Sequence, residues 1–371
     1  MGYNLIEIFR LFKTEGTFLK GEPYGSGHIH DTFRIETAEP DKDDYIIQRL
    51  NNNIFKNIAQ LQNNIERVTV HLRKKLEKIP GSDIKRECLQ LIPALDGKTW
   101  ICDKYGNYWR MYIFISNHRS YNLVDSPDKA KEGGKAIGRF QAMLADMPGD
   151  PLFETIPKFH DIENRLLALN QKISENPVGR VDTVRDEINQ VLLRSEEMKV
   201  ILKLGREGKI PLRITHNDTK FNNILLDQND KALCVIDLDT VMPGYVHYDF
   251  GDAIRTAANT ASEDETDLSK IEMNINLFKA YAEGYLSESA ATLNAFEKEY
   301  LAFAPRLITY TIAVRFLTDY IDGDKYFKIH HELHNLNRAR AQLKLVRSME
   351  EQYEDMGIII EKLTQEVGSR Q

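Results

Sequence analysis

The chain has 371 residues, of which 42% are hydrophobic and 28% are charged, and its formal net charge is −7. These values are typical of a globular protein long enough for two lobes, and they argue against a disordered chain. Acidic and basic residues are mixed along the sequence. A nucleic-acid or anionic-membrane partner would require a basic face, so neither is predicted.

The cysteines and the N-terminal segment indicate a cytoplasmic protein. Cys88, Cys102 and Cys234 are odd in number and widely spaced, so they form neither a disulfide framework nor a metal-binding pair. Residues 1–20 include Glu7 and Glu15 and lack the long apolar core of a signal peptide. No stretch approaches the roughly 18 unbroken apolar residues of a membrane span.

The first third of the chain is predicted to be rich in strands. Apolar and β-branched runs bounded by turn residues predict strands at 32–35, 45–47, 97–102 and 108–115. Between the second and third strands, apolar residues recur at steps of three and four from 58 to 79. This spacing predicts an amphipathic helix that stops at Pro80-Gly81.

The remainder is predicted to be mainly helical, with one strand-rich segment at 212–241. Helical periodicity covers 128–144, 161–169, 186–203, 275–286, 296–320 and 333–367. Gly133, Gly134 and Gly138 lie within the first of these helices, where they favour close packing against a neighbour. The order predicts an α+β fold, with a small sheet followed by a helical part that contains a hairpin.

The strand-rich segment carries the polar residues most suggestive of chemistry. It reads THNDTKFNN from 215 to 223, then a polar turn at 227–231, then VIDLD from 235 to 239. If the turn centres on Asp230, Asn223 falls opposite Asp237, near Asp218. Hard oxygen ligands from so few protein groups suit Mg²⁺, which keeps water and phosphate as its other ligands.

This spacing predicts phosphoryl transfer. Asp218 would orient an acceptor hydroxyl and take its proton, and Lys220 would contact the transferred phosphate. Asn223 and Asp237 would hold the metal. Asp and Asn are common turn formers, and any one of them alone would be interpreted as structural. His216 is better explained by packing beneath the loop than by catalysis.

These residues, together with several flanking motifs, resemble the aminoglycoside phosphotransferase and choline kinase superfamily, which shares the protein-kinase-like fold. Within it the chain is most similar to the N-acetylhexosamine 1-kinases. The resemblance extends from about residue 25 to about residue 340, through GSGH, THNDTK, VIDLDTVMPG, DFGD, ANTA, RFLTDY and GDKYF. It implies a nucleotide-binding lobe of sheet plus helix at 1–116, and a helical lobe at 117–371 with the catalytic loop and the acceptor site.

The resemblance also implies a nucleotide site in the first lobe. Gly25, Ser26 and Gly27 would cover the phosphates of ATP, although a plain hairpin turn fits their spacing equally well. The second strand should end at a lysine that holds the phosphates. Gln48 and Arg49 stand there instead, and Arg49 keeps the charge.

For the acceptor, the resemblance implies a sugar site. A sugar requires polar groups that bind hydroxyls beside an aromatic face. The candidates are His28, Asp31, Asp239, Arg315 and Tyr326. Four of them have a structural alternative: Arg315 as the salt-bridge partner of Asp319, Tyr326 as a core residue, and His28 as a loop residue. Asp239, like Asp252, is alternatively a hydrogen-bonding support for the metal loop.

The resemblance thus implies an enzyme that uses ATP and Mg²⁺ to convert N-acetylglucosamine or N-acetylgalactosamine to the sugar 1-phosphate. One alternative is a choline-, ethanolamine- or homoserine-type kinase, although a cationic acceptor would call for aromatics and carboxylates. Another is a non-catalytic nucleotide-binding pseudokinase, prompted by the missing strand lysine. The sequence leaves open the hexosamine epimer, the choice between ATP and GTP, and the oligomeric state.

Overall fold

The computed structural model describes residues 3–25 and 29–369. It shows the predicted α+β, two-lobed kinase-like architecture, with an antiparallel five-stranded sheet in the N-terminal part and a helical C-terminal part. The chain forms two compact units. The first comprises Met1–His118, Asp146–Pro157 and Leu233–Met242; the second comprises Arg119–Ala145, Lys158–Ala232 and Pro243–Gln371. The functional division at residue 116 stays a prediction.

The first unit is built on the five-stranded sheet, whose order is β1-β2-β3-β5-β4. The strands are β1 (Phe18–Pro23), β2 (Asp31–Thr37), β3 (Tyr45–Leu50), β4 (Ile101–Cys102) and β5 (Tyr108–Ile113). The helices are α1 (Leu5–Phe9), α2 (Ile58–Leu76) and α3 (Ile84–Glu87). The sequence did not predict β1, an edge strand that ends in Pro23, a residue that edge strands tolerate.

Alternation along the strands gives this sheet two different faces. Ile47 and Met111 lie opposite each other on one face, where α1 contributes Phe9 to a shared apolar core. Gln48 and Arg110 lie opposite each other on the other face. The register therefore places the adjacent residues Gln48 and Arg49 on opposite sides of the sheet.

The second unit is mainly helical. Its helices are α4 (Pro127–Leu144), α5 (Ile162–Glu175), α6 (Arg185–Arg194), α7 (Val200–Arg206), α8 (Val246–Ala257), α9 (Ile275–Ser289), α10 (Ala295–Glu299), α11 (Ala304–Asp322), α12 (His334–Glu351) and α13 (Tyr353–Gly368). It also contains strands β6 (Arg213–Thr215) and β7 (Ile224–Leu226). The chain crosses between the units within β8 (Ala232–Val235) and β9 (Met242–Gly244). Among the described residues, no helix has both the length and the apolarity needed to span a membrane.

Three helices predicted as continuous are each divided in the structure. The segment 186–203 forms α6 and α7, on either side of a 3₁₀ turn at Glu197–Lys199. The segment 296–320 forms α10 and α11, because Pro305 lies in the first turn of α11 and lacks the N–H that a continuous helix would need. The segment 333–367 forms α12 and α13, with a break at Gln352. No proline or glycine marks the break at Gln352, so the sequence pattern did not predict it.

The glycines of α4 confirm the predicted close packing, and the neighbour is α9. A Cβ atom at Gly134 would lie 2.1 Å from the carbonyl oxygen of Tyr281, and one at Gly138 would lie 2.5 Å from that of Tyr285. Any larger residue would force the two helices apart. The α4 helix also carries Gln141, which contributes to the site described next.

Candidate active site

The loop between β6 and β7 brings three of the predicted residues together. The Nζ atom of Lys220 lies 3.3 Å from Oδ2 of Asp218. The Nδ2 atom of Asn223 donates to the carbonyl oxygen of Asp218 at 2.8 Å and to its Oδ2 at 3.3 Å. The sequence spacing therefore corresponds to a compact cluster around the carboxylate of Asp218.

Asp249, near the start of α8, ties this loop to the helical core. Its carboxylate accepts hydrogen bonds from the backbone N–H groups of His216 (2.9 Å) and Asn217 (2.7 Å). The side chain of Gln141 donates to the same carboxylate at 2.7 Å. Sequence reasoning named Asp249 within the DFGD motif but gave it no role.

Two buried histidines stabilise this loop, one by packing and one by a hydrogen bond. His216 is completely buried and packs edge-on against Phe140 with ring centroids 5.8 Å apart, in agreement with the predicted packing role. His160, at 4% exposure, donates from Nε2 to the carbonyl oxygen of Asn217 at 2.8 Å. Burial lowers the pKa of His160 to about 3, so this histidine is neutral at physiological pH.

Neighbouring groups favour the ionised form of Asp218. Burial acts to raise the pKa of Asp218, but the ammonium group of Lys220 and smaller contributions from its other neighbours, including Arg255, together outweigh this effect, and the pKa lies below its usual value. Asp218 is therefore an ionised acceptor at neutral pH. A carboxylate in this state can receive a proton from a bound hydroxyl group.

Each of the predicted metal ligands offers an oxygen atom, the kind of donor that Mg²⁺ prefers. Asn223 uses its Nδ2 for Asp218, which leaves Oδ1 as the predicted ligand atom. Asp237 supplies a carboxylate and has a left-handed backbone with φ of 61°. The described residues contain no group of three or more His, Cys, Asp or Glu side chains arranged for a metal. A Mg²⁺ ion held mainly by water and phosphate requires no such group.

Asp239 is buried in the first unit, within a short 3₁₀ helix at Leu238–Thr240. Both terminal nitrogens of Arg110 donate to its carboxylate, with Nη2 to Oδ2 at 2.6 Å. His30 Nε2 lies 2.8 Å from the same Oδ2. Burial acts to raise the pKa of Asp239, but the guanidinium of Arg110 and the imidazole of His30 together outweigh it and hold the pKa well below the usual range. The role of Asp239 in acceptor binding stays a prediction.

The other candidates of the first unit have varied surroundings. Gln48 accepts a hydrogen bond from Arg110 Nε at 2.9 Å. Arg49 is engaged with Asp31, with Nε to Oδ2 at 2.6 Å, so both of these candidates already have protein partners. Gly25 has a φ of 77°, which favours glycine. The remaining candidates lie outside the described residues: Ser26, Gly27 and His28.

Arg315 is surrounded by aromatic rings. Its guanidinium carbon lies 5.0 Å from the centroid of Phe159, 5.3 Å from that of Phe327 and 5.7 Å from that of Tyr326. Tyr326 is 56% exposed, so its interpretation as a core residue was wrong. These contacts give the unit an aromatic cluster with a cation at its centre.

The alternative of a salt bridge between Arg315 and Asp319 was also wrong. Asp319 accepts instead from the backbone N–H groups of Lys325 (3.0 Å), Tyr326 (2.8 Å) and Phe327 (3.0 Å). Each of these bonds satisfies a loop amide directly. Asp319 thus shapes the loop that presents both aromatic rings to Arg315.

A second cation, Arg165, accompanies Arg315. Arg165 donates to the carbonyl oxygen of Phe159 from Nε at 3.2 Å and from Nη2 at 2.7 Å. Burial, reinforced by the positive charge of Arg315, lowers the pKa of Arg165 to about 10. In the described part of the chain, neither guanidinium forms an ion pair with a carboxylate. Sequence reasoning missed Arg165, because an arginine on an amphipathic helix is usually solvated.

Comparisons with known proteins identify the family and the fold of the chain. A sequence model described as the phosphotransferase enzyme family (APH) matches residues 20–296. A spectinomycin phosphotransferase solved with ADP and spectinomycin is similar in structure, with a TM-score of 0.57 and 14% identity over 94% of this chain and 97% of that one. A microcompartment-associated aminopropanol kinase is similar with a TM-score of 0.57 and 13% identity over 95% of this chain and 98% of that one. A choline kinase from Cryptosporidium parvum Iowa II is similar with a TM-score of 0.53 and 14% identity over 95% of this chain and 96% of that one.

Proposed function

The chain belongs to the phosphotransferase enzyme family, and from this premise we propose that it transfers the γ-phosphate of ATP to the anomeric hydroxyl of an N-acetylhexosamine. As a member of this family it is a small-molecule kinase with an alcohol group as acceptor. The proposal concerns the identity of that alcohol. N-Acetylglucosamine and N-acetylgalactosamine are the candidates implied by the sequence resemblance.

The observation that carries the proposal is the arginine and aromatic cluster at Arg315. A quaternary ammonium or amino alcohol would be held by aromatic rings and carboxylates. Here the rings surround the guanidinium group of Arg315, and the positive charges of Arg165 and Arg315 would repel a cationic acceptor. A neutral sugar offers hydroxyl oxygens to guanidinium donors and an apolar ring surface to aromatic side chains.

The cluster connects to the catalytic loop through direct contacts. Arg315 stacks on Phe159, whose ring lies 4.6 Å from that of His160. His160 in turn binds the carbonyl oxygen of Asn217, next to Asp218. This chain of contacts supports placing the acceptor hydroxyl within reach of Asp218.

In the proposed reaction, Asp218 accepts the proton of the anomeric hydroxyl as the sugar oxygen bonds to the γ-phosphorus. The bond between the γ-phosphorus and the β–γ bridging oxygen breaks, and ADP leaves. Lys220 steadies the charge on the transferred group. Asn223 and Asp237 are the proposed Mg²⁺ ligands, and when bound the ion neutralises charge on the phosphate oxygens.

The test is an acceptor panel with the purified protein and Mg-ATP. The panel contains free hexosamines, their N-acetyl derivatives, amino alcohols and amino acids, and phosphorus NMR identifies the phosphorylated position. We expect sugar 1-phosphate from an N-acetylhexosamine. Turnover only on choline, ethanolamine or homoserine would overturn the sugar assignment, and absence of turnover on every compound would favour a pseudokinase.

Variants assign the roles within the same assay. Asp218→Asn should lower kcat by about three orders of magnitude or more while nucleotide still binds. Arg315→Gln should raise KM for the sugar about tenfold or more, because hydroxyl contacts are lost in a partly buried site. Arg306→Gln is the matched control, since Arg306 lies on the same helix and binds Glu197 instead.

A further inference from the structure

Arg110 is the most enclosed cation of the first unit, with 1% of its surface exposed. Its Nε donates to Oε1 of Gln48 at 2.9 Å, and both terminal nitrogens donate to the carboxylate of Asp239. A buried charge of this kind is costly unless every donor is satisfied. The structure satisfies all three nitrogens with protein groups.

Arg110 lies beside the position on β3 where the expected lysine is missing. The strand lysine expected at the end of β3 is replaced by Gln48 and Arg49. Arg49 lies on the opposite face of the sheet and is engaged with Asp31. Arg110 lies opposite Gln48 on the neighbouring strand β5 and shares its face, so it restores a cation there.

The partner of Arg110 belongs to the segment that contains the predicted metal ligand Asp237. The carbonyl oxygen of Asp239 accepts a hydrogen bond from Thr155 Oγ1 at 2.8 Å, and that of Val241 accepts one from Asn64 at 3.1 Å. Asp237 itself has a left-handed backbone, which aspartate adopts more readily than most residues but at a higher cost than glycine, so contacts that support it stabilise this conformation. The Arg110–Asp239 pair provides the charged part of that support.

We propose that Arg110 is a positioning residue that fixes the segment from Asp237 to Val241, through Asp239, in the conformation that binds a Mg-nucleotide. Its nitrogens are committed to Gln48 and Asp239, so it acts through Asp239 rather than by touching the phosphates. An arginine suits this role because its planar fork meets both carboxylate oxygens, whereas a lysine offers a single point charge. The inference rests on the proposed use of Mg-ATP.

The test compares nucleotide binding with and without metal. A double variant, Arg110→Gln with Asp239→Asn, replaces the ion pair by neutral groups that can still form hydrogen bonds, and it leaves no buried charge unpaired. Isothermal titration calorimetry measures ADP binding in Mg²⁺ and in EDTA. We expect the affinity in Mg²⁺ to fall about tenfold or more, as when the supporting partners of metal ligands are removed elsewhere. Affinity in EDTA should change less than about threefold.

Further variants separate positioning from general stability. Arg110→Lys keeps the charge but loses the fork, so its affinity for Mg-ADP should lie between those of the wild type and the double variant. Arg306→Gln removes another buried arginine that binds a carboxylate with both terminal nitrogens, and it should lower stability without changing the ratio of the two affinities. If the double variant does not fold, Arg110→Lys decides alone.

The inference is overturned if the double variant, or Arg110→Lys where the double variant does not fold, binds Mg-ADP as tightly as the wild type. It is also overturned if the affinity in EDTA falls equally, since that result indicates a purely structural effect. These measurements need no acceptor, so they do not depend on the sugar assignment. A wild-type protein that binds no Mg-nucleotide would overturn both this inference and the proposed function.

Discussion

The carboxylate of Asp249 accepts a hydrogen bond of 2.7 Å from the backbone N–H of Asn217, the residue that precedes the predicted base Asp218. Asn217 has a left-handed backbone, with φ of 65°, so its amide direction is unusual for a residue with a side chain. The hydrogen bond to a fully buried carboxylate stabilises this conformation. The direction of Asp218 therefore depends on a side chain that does not itself contact a reacting group.

Replacing Asp249 with asparagine should impair catalysis through the loop. The carboxylate now accepts hydrogen bonds from two backbone N–H groups. The amide NH₂ of asparagine would face one of these N–H groups with a donor, and that hydrogen bond would be lost. The loop would shift, and a displacement of about 1 Å at a base can cost about 100-fold in rate. We expect Asp249→Asn to lower kcat by about that factor, measured by coupled detection of ADP.

A matched control for this experiment is Glu187→Gln. Glu187 is also a buried carboxylate of the second unit, but it pairs with Arg340 on α12. It should lose stability with kcat unchanged. If both variants lose kcat in proportion to stability, Asp249 has no specific role in positioning the loop.

The packing of α4 on α9 gives a prediction about stability. Gly134→Ala would place a Cβ atom 2.1 Å from the carbonyl oxygen of Tyr281 and 2.8 Å from the backbone nitrogen of Tyr285. Backbone atoms cannot move aside as side chains can, so the two helices must separate. The free energy of unfolding should fall by about 3 kcal/mol, measured by urea denaturation.

Gly357→Ala is the contrasting variant, because it makes the same chemical change in helix α13. No atom lies within 4 Å of a Cβ placed at Gly357. Alanine restricts the unfolded chain and favours the helix, so stability should rise by about 0.5 to 1 kcal/mol. Equal effects at the two positions would show that helix propensity, rather than close packing, dominates.

Much of the fold was predictable because its signals are local. The helix at Ile58–Leu76 and the glycine-rich helix at Pro127–Leu144 follow from apolar periodicity and turn residues. The cluster of Asp218, Lys220 and Asn223 follows from spacing within one loop. Short-range patterns of this kind are decided by the chain's own geometry.

The missed features depend on partners distant in sequence. Arg110 lies within an apolar strand, and nothing near it reveals that its counter-ion is Asp239. Asp249 belongs to the DFGD motif of the resemblance, but its bonds to the loop are visible only in the structure. Arg315 and Asp319 are four residues apart on one helix, yet Asp319 binds loop amides instead. Only tertiary structure distinguishes these possibilities.

Asp319 provides a prediction about acceptor binding. Asp319→Asn would replace one acceptor oxygen by an amide donor, which would face the backbone N–H of either Tyr326 or Phe327. The loop would lose its shape, and the two aromatic rings would no longer lie beside Arg315. We expect KM for the sugar to rise about tenfold with KM for Mg-ATP unchanged, measured by steady-state kinetics.

The control for this prediction is Asp322→Asn on the same helix. Asp322 forms salt bridges with Lys325 and Lys172. Among the described contacts, it accepts no hydrogen bond from the backbone amides of residues 325–327. It should leave both KM values close to wild type. If Asp319→Asn has a normal KM for the sugar, the loop at 325–327 is not part of the acceptor site.

Two buried histidines predict that stability declines as the pH falls below about 6.5. Burial lowers the pKa of His160 to about 3 and that of His247 to about 4. The unfolded chain binds a proton at each histidine near pH 6.5, whereas the folded protein does not. Because the unfolded state then holds more protons, acid favours it, and each histidine lowers the free energy of unfolding by about 1.4 kcal/mol per pH unit below that point.

His160→Gln tests this linkage while keeping the hydrogen bond. A glutamine amide can donate to the carbonyl oxygen of Asn217 as His160 does, but it does not titrate. Between about pH 6 and pH 5, His160→Gln should reduce the dependence of stability on pH by up to about 1.4 kcal/mol per pH unit, which is the share of this histidine. His247→Gln, with a similar bond to the carbonyl of Glu297, should have the same effect, and the double variant should lose both shares. Urea denaturation across the interval measures the slope, and a slope unchanged in His160→Gln would mean that this histidine is protonated in the folded protein.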